Sequence, residues 1–135
     1  MKQKIFLDTN IVIDFLAHRE EFQPAANILQ QGIEGKVDLY ITGLTIANIT
    51  YILRSQLGKE KVKEALHTLC TFIRIAPITE VETSKALETE NPDVEDAIQY
   101  YSAEAIGADF IITRDPRHFK YSHIPVMNGR EYFMK

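Results

Sequence analysis

Short apolar runs alternate with segments of helical periodicity along this chain, and that alternation confines it to one class of fold. Lys4 to Leu7, Val37 to Ile41, Phe72 to Ala76 and Asp109 to Ile112 each read as a buried strand, and Ile124 to Val126 as a short fifth. Between them apolar residues recur at helical spacing, as on a helix with one face against a core. Asn10 to Ala17 carries Ile11, Phe15 and Leu16; Phe22 to Ile33 carries Ala25, Ala26, Ile28, Leu29 and Ile33. Pro24 falls in the first turn of that second helix, where a missing N–H costs little. Leu44 to Leu57 sets Ile46, Ile49, Leu53 and Leu57 on one face and stops at Gly58; Lys59 to Thr71 follows with Val62, Leu66 and Leu69. Glu80 to Glu90 reads as helical, Asn91-Pro92 breaks it, and a further helix runs from Asp93 to about Ile106, closed by Gly107. Strands joined through helices pair in parallel by right-handed crossovers. The expected architecture is a three-layer α/β/α sandwich around a central parallel sheet of four to five strands. With no internal repeat and no Gly/Ser/Pro-rich linker, the 135 residues form a single domain, 1–135.

A formal net charge of −4 argues against a protein that coats nucleic acid unselectively, so any nucleic acid must meet a local basic patch. The single cysteine, Cys70, excludes an internal disulfide and a Cys-x-x-Cys zinc site. It reads as a core or half-buried thiol, and a reducing cytoplasm fits. Met1-Lys2-Gln3-Lys4 leads into three apolar residues, too few for a signal-peptide core, and no run approaches the ~20 apolar residues of a membrane span.

Four aspartates stand beside the predicted strands. Asp8 follows Ile5-Phe6-Leu7; Asp93 and Asp96 open a helix; Asp115 follows Phe110-Ile111-Ile112-Thr113-Arg114. Taken singly, each has a plain structural use. Asp8-Thr9-Asn10 offers three good helix caps, Asp93 caps the helix that begins at Val94, and Asp115 before Pro116 starts a turn. Asp96 fits such a use least. It completes Asp93-Val94-Glu95-Asp96, more acid than the favourable helix dipole (roughly 0.3–1 kcal/mol per charge) calls for. Asp93 and Asp96 share a helix face. If that face meets the carboxyl ends of the first and fourth strands, the carboxylates gather where open α/β sheets bind their ligands. Their repulsion is then relieved by a hard divalent cation such as Mg²⁺ or Mn²⁺.

Phe6-Leu7-Asp8-Thr9-Asn10, Asp93-Val94-Glu95-Asp96-Ala97-Ile98 and Ile111-Ile112-Thr113-Arg114-Asp115, in this order and spacing, resemble the PIN domain. That is the metal-dependent ribonuclease fold found in the toxins of VapC-type toxin–antitoxin pairs, and the likeness covers essentially the whole chain. It implies catalytic and metal-ligating roles for Asp8, Asp96 and Asp115, with Asp93 as an additional acid. Asn10 is then the brace of the first aspartate and Thr113 the hydroxyl beside the site. The implied reaction is hydrolysis of RNA phosphodiesters with Mg²⁺ or Mn²⁺, which activates water and offsets phosphate charge. The implied partners are a second copy in a homodimer and a small antitoxin protein that blocks the acidic cleft.

The sequence departs from the family pattern at Asn48, where many members carry a glutamate. Asparagine offers a carbonyl oxygen without charge, so the alternative reading is a PIN-fold interaction module with weak or no nuclease activity. Arg114, Arg117, His118 and Lys120 are the candidates for contact with RNA, and Arg54, Lys59, Lys61 and Lys63 form a second cationic stretch or a solvated helix face. Tyr100, Tyr101 and Tyr121 serve either base stacking or packing. A receiver domain needs an acidic pair after the first strand and an aspartate after the third, neither of which is here. A dinucleotide fold needs a glycine fingerprint that is likewise missing.

Overall fold

The structure, a computed structural model, describes residues 1–135. The chain runs β1 (Gln3–Leu7), α1 (Thr9–Leu16), α2 (Phe22–Ile33), β2 (Val37–Thr42), α3 (Gly43–Leu57), α4 (Lys59–Leu69), β3 (Ile73–Ala76), α5 (Glu80–Glu88), α6 (Val94–Ala105), β4 (Phe110–Ile112), a 3₁₀ turn (Pro116–Phe119), β5 (Val126–Met127) and α7 (Gly129–Met134). The expected elements are all present, with ends moved by two residues or fewer. The 3₁₀ turn and α7 were not anticipated, because pieces this short show no periodicity. Local chemistry does mark α7: Asn128 and Glu131 form a reciprocal capping box.

The strands form one parallel sheet in the order β3-β2-β1-β4-β5. Side chains alternate across it, as the two-residue period of a strand requires. Ile5 and Leu7 of β1 join a core of 19 buried residues with α1 to α4 and α7, whereas Phe6 turns to a smaller core of 6 with Tyr100 and Ala103 of α6. Both faces are covered, which explains the nearly continuous apolar runs of the strands. The apolar stripes of α3 and α4 go largely into this core: Ile49, Leu53, Val62, Leu66 and Leu69 are buried. No helix is long and apolar enough to cross a membrane.

The topology positions the site. From β1 the chain proceeds outward through β2 to β3, then α5 and α6 carry it back across the sheet to β4 on the other side of β1. The strand order therefore reverses at β1, and a crevice opens at the carboxyl ends of β1 and β4, where such folds hold ligands. Gly107, at φ +70°, turns the end of α6 into β4 in a conformation that L side chains rarely adopt.

Candidate active site

Asp8 leaves β1 at the crevice and caps α1, its Oδ1 accepting the Thr9 N–H at 2.8 Å. The capping use foreseen for it is real but engages one oxygen. The other, Oδ2, accepts from the Thr113 hydroxyl at 2.7 Å and the Asn10 amide at 3.3 Å, and meets His118 Nδ1 at 2.8 Å. Asn10 also accepts the Arg114 N–H at 3.0 Å, so the loops after β1 and β4 are laced together around one nearly buried carboxylate.

Asp115 caps the 3₁₀ turn, and Arg117 takes both of its oxygens at 2.9 Å. The Arg117 guanidinium holds this carboxyl well below its ordinary value, at about 2. Arg117, expected to meet RNA, pairs with Asp115 because the tight turn brings its fork back onto residue 115, and its side chain stays exposed. His118 Nε2 lies 3.6 Å from Asp115 Oδ2. One imidazole therefore spans the acids from the two ends of the chain. The bond to Asp8, helped by the charges of Asp8, Asp96 and Asp115, raises its pKa to about 9.

Asp96 stands in the first turn of α6, whose cap is Asp93; the Asp93 Oδ1 accepts the Asp96 N–H at 3.0 Å. No hydrogen bond reaches the Asp96 carboxylate itself. Burial first, then the charges of Asp93, Asp8 and Glu95, push its pKa up to about 6 even though His118 pulls the other way. A carboxylate without a donor, facing other carboxylates, is a group in need of a cation. Asp8 lines one cleft with it and Asp115 does not; carboxylate oxygens are the donors that suit Mg²⁺ or Mn²⁺. No three of these acids already stand in ligating arrangement; His118 and Arg117 supply the positive charge.

Asn48 does not substitute for an acid directly. Its amide donates to Glu95 Oε1 at 2.7 Å. Glu95 lines the cleft with Asp8, Asp96, Arg114 and His118, and Asn48 steadies it from outside that lining. This cleft, about 260 Å³, is also lined by Arg19, Gln99 and Asn10. Glu95, Arg19 and Gln99 were not singled out from sequence. Glu95 stood inside a quoted motif, but nothing local marks Arg19. Arg114 lies on the rim, its Nε 3.5 Å from the fully buried Asp14, whose oxygens accept no hydrogen bond. Burial raises the Asp14 pKa against the pull of Arg114 and Arg19. Lys120 lies over the Tyr121 ring at 5.3 Å and does not line the cleft.

Beneath the acids runs a buried polar chain. Thr42 donates to Gln99 Oε1 at 2.8 Å, Gln99 Nε2 donates to Thr45 at 2.9 Å, and Thr45 meets the Thr9 hydroxyl at 3.1 Å. Gln99 is one helical turn beyond Asp96, so this chain ties α6 to β2 and α3 and sets where Asp96 stands. Gln99→Leu leaves the buried Thr42 and Thr45 hydroxyls short of a partner, and such groups cost roughly 1–3 kcal/mol. Chemical denaturation of the variant is expected to show a loss of about 2 kcal/mol; unchanged stability would mean that the chain does not anchor α6.

The PIN domain family model matches residues 4–117. Among solved structures, the chain is similar to FitAcB from Neisseria gonorrhoeae, with 20% identity, TM-score 0.69 and coverage of 93% of this chain and 98% of that one. It is similar to a toxin-antitoxin complex from Klebsiella pneumoniae, with 21% identity, TM-score 0.67 and coverage of 93% and 97%. It is also similar to Mycobacterium tuberculosis VapC20, described as a Sarcin-Ricin loop cleaving toxin, with 15% identity, TM-score 0.67 and coverage of 84% and 92%. No curated protein matches the chain.

Proposed function

The chain belongs to the PIN domain family, and on that premise we propose that it is a metal-dependent endoribonuclease, the toxin of a toxin–antitoxin pair. The carrying observation is the meeting of Asp8 and Asp115 around one imidazole, beside an Asp96 carboxylate that no hydrogen bond reaches. Similar solved structures include a Sarcin-Ricin loop cleaving toxin and a toxin-antitoxin complex.

Asp8, Asp96 and Asp115 hold the Mg²⁺ or Mn²⁺ ion in this reading, with Asp93 and Glu95 adding charge around it. The bound ion supplies Lewis-acid activation of water and neutralisation of phosphate charge. Asn10 and Thr113 hold Asp8 in place through its Oδ2. Arg19 and Arg114, on the cleft wall, offset the repulsion between an acidic site and a polyanion. His118, between Asp8 and Asp115 on the cleft wall, would be a donor available to a phosphate there.

The proposed antitoxin fits an apolar groove between α1, α2 and α4, about 520 Å³, lined by Phe15, Leu16, Ala26, Leu29, Ala65 and Leu69. A homodimer is proposed through α3 and α5, where Tyr51, Ile52, Val81 and Leu87 are exposed. Cleavage of RNA in Mn²⁺, measured for the wild type and for Asp8→Asn, tests the activity. Cleavage that stops in chelator and in the variant supports the nuclease. Equal cleavage by both proteins refutes it, and no cleavage by either leaves the interaction module favoured by Asn48.

A further inference from the structure

Beside the carboxylate cleft lies a second hollow, about 440 Å³, for which the proposed chemistry has no use. Its wall is aromatic: Tyr100 and Tyr101 from α6, Phe119 from the 3₁₀ turn and Tyr121 just after it. His118 lines both spaces, so the hollow adjoins the cleft at that side chain. Tyr100 is structural. It is buried, donates to Glu104 at 3.0 Å and accepts the His123 N–H at 3.1 Å. Its ring meets Tyr101 edge to face, centroids 5.1 Å apart, which steadies the Tyr101 ring. Tyr121, 47% exposed, also lines the hollow.

The rim carries polar groups suited to the edge of a flat heterocycle. Asn91 accepts the Asp93 N–H through Oδ1 and keeps its amide NH₂ available. Lys85, paired at 4.0 Å with Glu104 of the lining, stands 5.9 Å from the Tyr101 centroid, and Lys120 stands 5.3 Å from that of Tyr121. Ring faces, an amide edge and flexible cations together are what an unpaired nucleobase and its phosphate require. A hollow of this volume lies in the range of small-ligand sites.

The geometry points to this hollow as a subsite for one unpaired nucleobase of single-stranded RNA, flanking the phosphate held at the carboxylates. Tyr101 and Tyr121 grip the base, and Asn91 reads its edge. The assignment rests on the nuclease reading. It also turns the tyrosines of α6 and the following loop from a packing question into a division of labour, with Tyr100 structural and Tyr101 and Tyr121 on the ligand.

Two measurements test it. In a short RNA that the protein cleaves, each nucleotide around the cut is made abasic in turn. One abasic position is expected to lower kcat/KM about tenfold, the factor for ~1.4 kcal/mol of lost stacking. Tyr101→Leu and Tyr121→Ala are expected to lower cleavage of the intact RNA toward that of the abasic one, erasing the ratio. In chelator, the same RNA carrying photoreactive bases is expected to cross-link to Tyr101 or Tyr121. A flat abasic series with cleavage intact overturns the subsite and leaves the nuclease standing. If no RNA is cleaved, the nuclease reading falls, and the cross-links decide the hollow alone: attachment at either tyrosine supports it, and attachment elsewhere or none overturns it.

Discussion

Asp96→Asn is expected to do two opposite things: to lower RNA cleavage by a hundredfold or more, and to raise the melting temperature of the protein in chelator. The first follows from losing an anionic ligand. Metal stabilisation of a phosphoryl transition state is worth several kcal/mol, and each ~1.4 kcal/mol is tenfold in rate. The second follows from the surroundings of the carboxylate. It has no hydrogen-bond donor, and burial with the charges of Asp93, Asp8 and Glu95 makes its ionised form costly. An amide in its place carries no charge to repel. The pair of readouts separates a functional acid from a structural one, since a structural carboxylate that is removed destabilises the fold. A variant that is both inactive and less stable in chelator would refute the assignment of Asp96.

The second expectation concerns pH. Asp96 has a folded pKa of about 6 against an ordinary value of 3.8. The folded state therefore binds its proton more tightly, and the stability this gives is present below pH 3.8 and lost as pH rises through about 6. His118, raised from 6.5 to about 9, gives stability that is present below pH 6.5 and lost as pH rises through about 9. Asp115 works in the other direction: lowered to about 2, it gives stability present above pH 3.8 and lost only as pH falls toward 2. In chelator, melting temperature is thus expected to decline from about pH 4 to 6 and again from about 6.5 to 9. Both protons oppose a divalent cation at the same carboxylates, so stabilisation by Mn²⁺ should grow across both windows. The chain has no tryptophan, so circular dichroism is the suitable probe. His118→Gln should flatten the upper window alone. A Mn²⁺ shift that does not change with pH would show that the ion binds away from these groups.

The acids at the strand ends were legible because their positions follow from one-dimensional pattern. An aspartate just after a buried strand must lie at the sheet edge, whatever the rest of the chain does. Asp8 and Asp115 were placed there this way, and Asp96 was singled out by an excess of charge at a helix start. Arg117 shows the limit. Its sequence neighbourhood gave no sign that a 3₁₀ turn folds its guanidinium onto Asp115. Glu95 shows the converse, since its use depends on Asn48 from another helix 47 positions away.

By itself, the order of apolar runs determined a parallel sheet with both faces covered, because a short unbroken apolar run and a helix's 3.6-residue period leave traces in any single segment. Only the tertiary structure decided that His118 would bridge Asp8 and Asp115, that Gln99 would anchor α6 beneath Asp96, and that Arg19 would reach the cleft. Those facts depend on which helix faces meet across the reversal at β1. Side-chain meetings of that kind are set by packing between distant segments, and no local spacing encodes them.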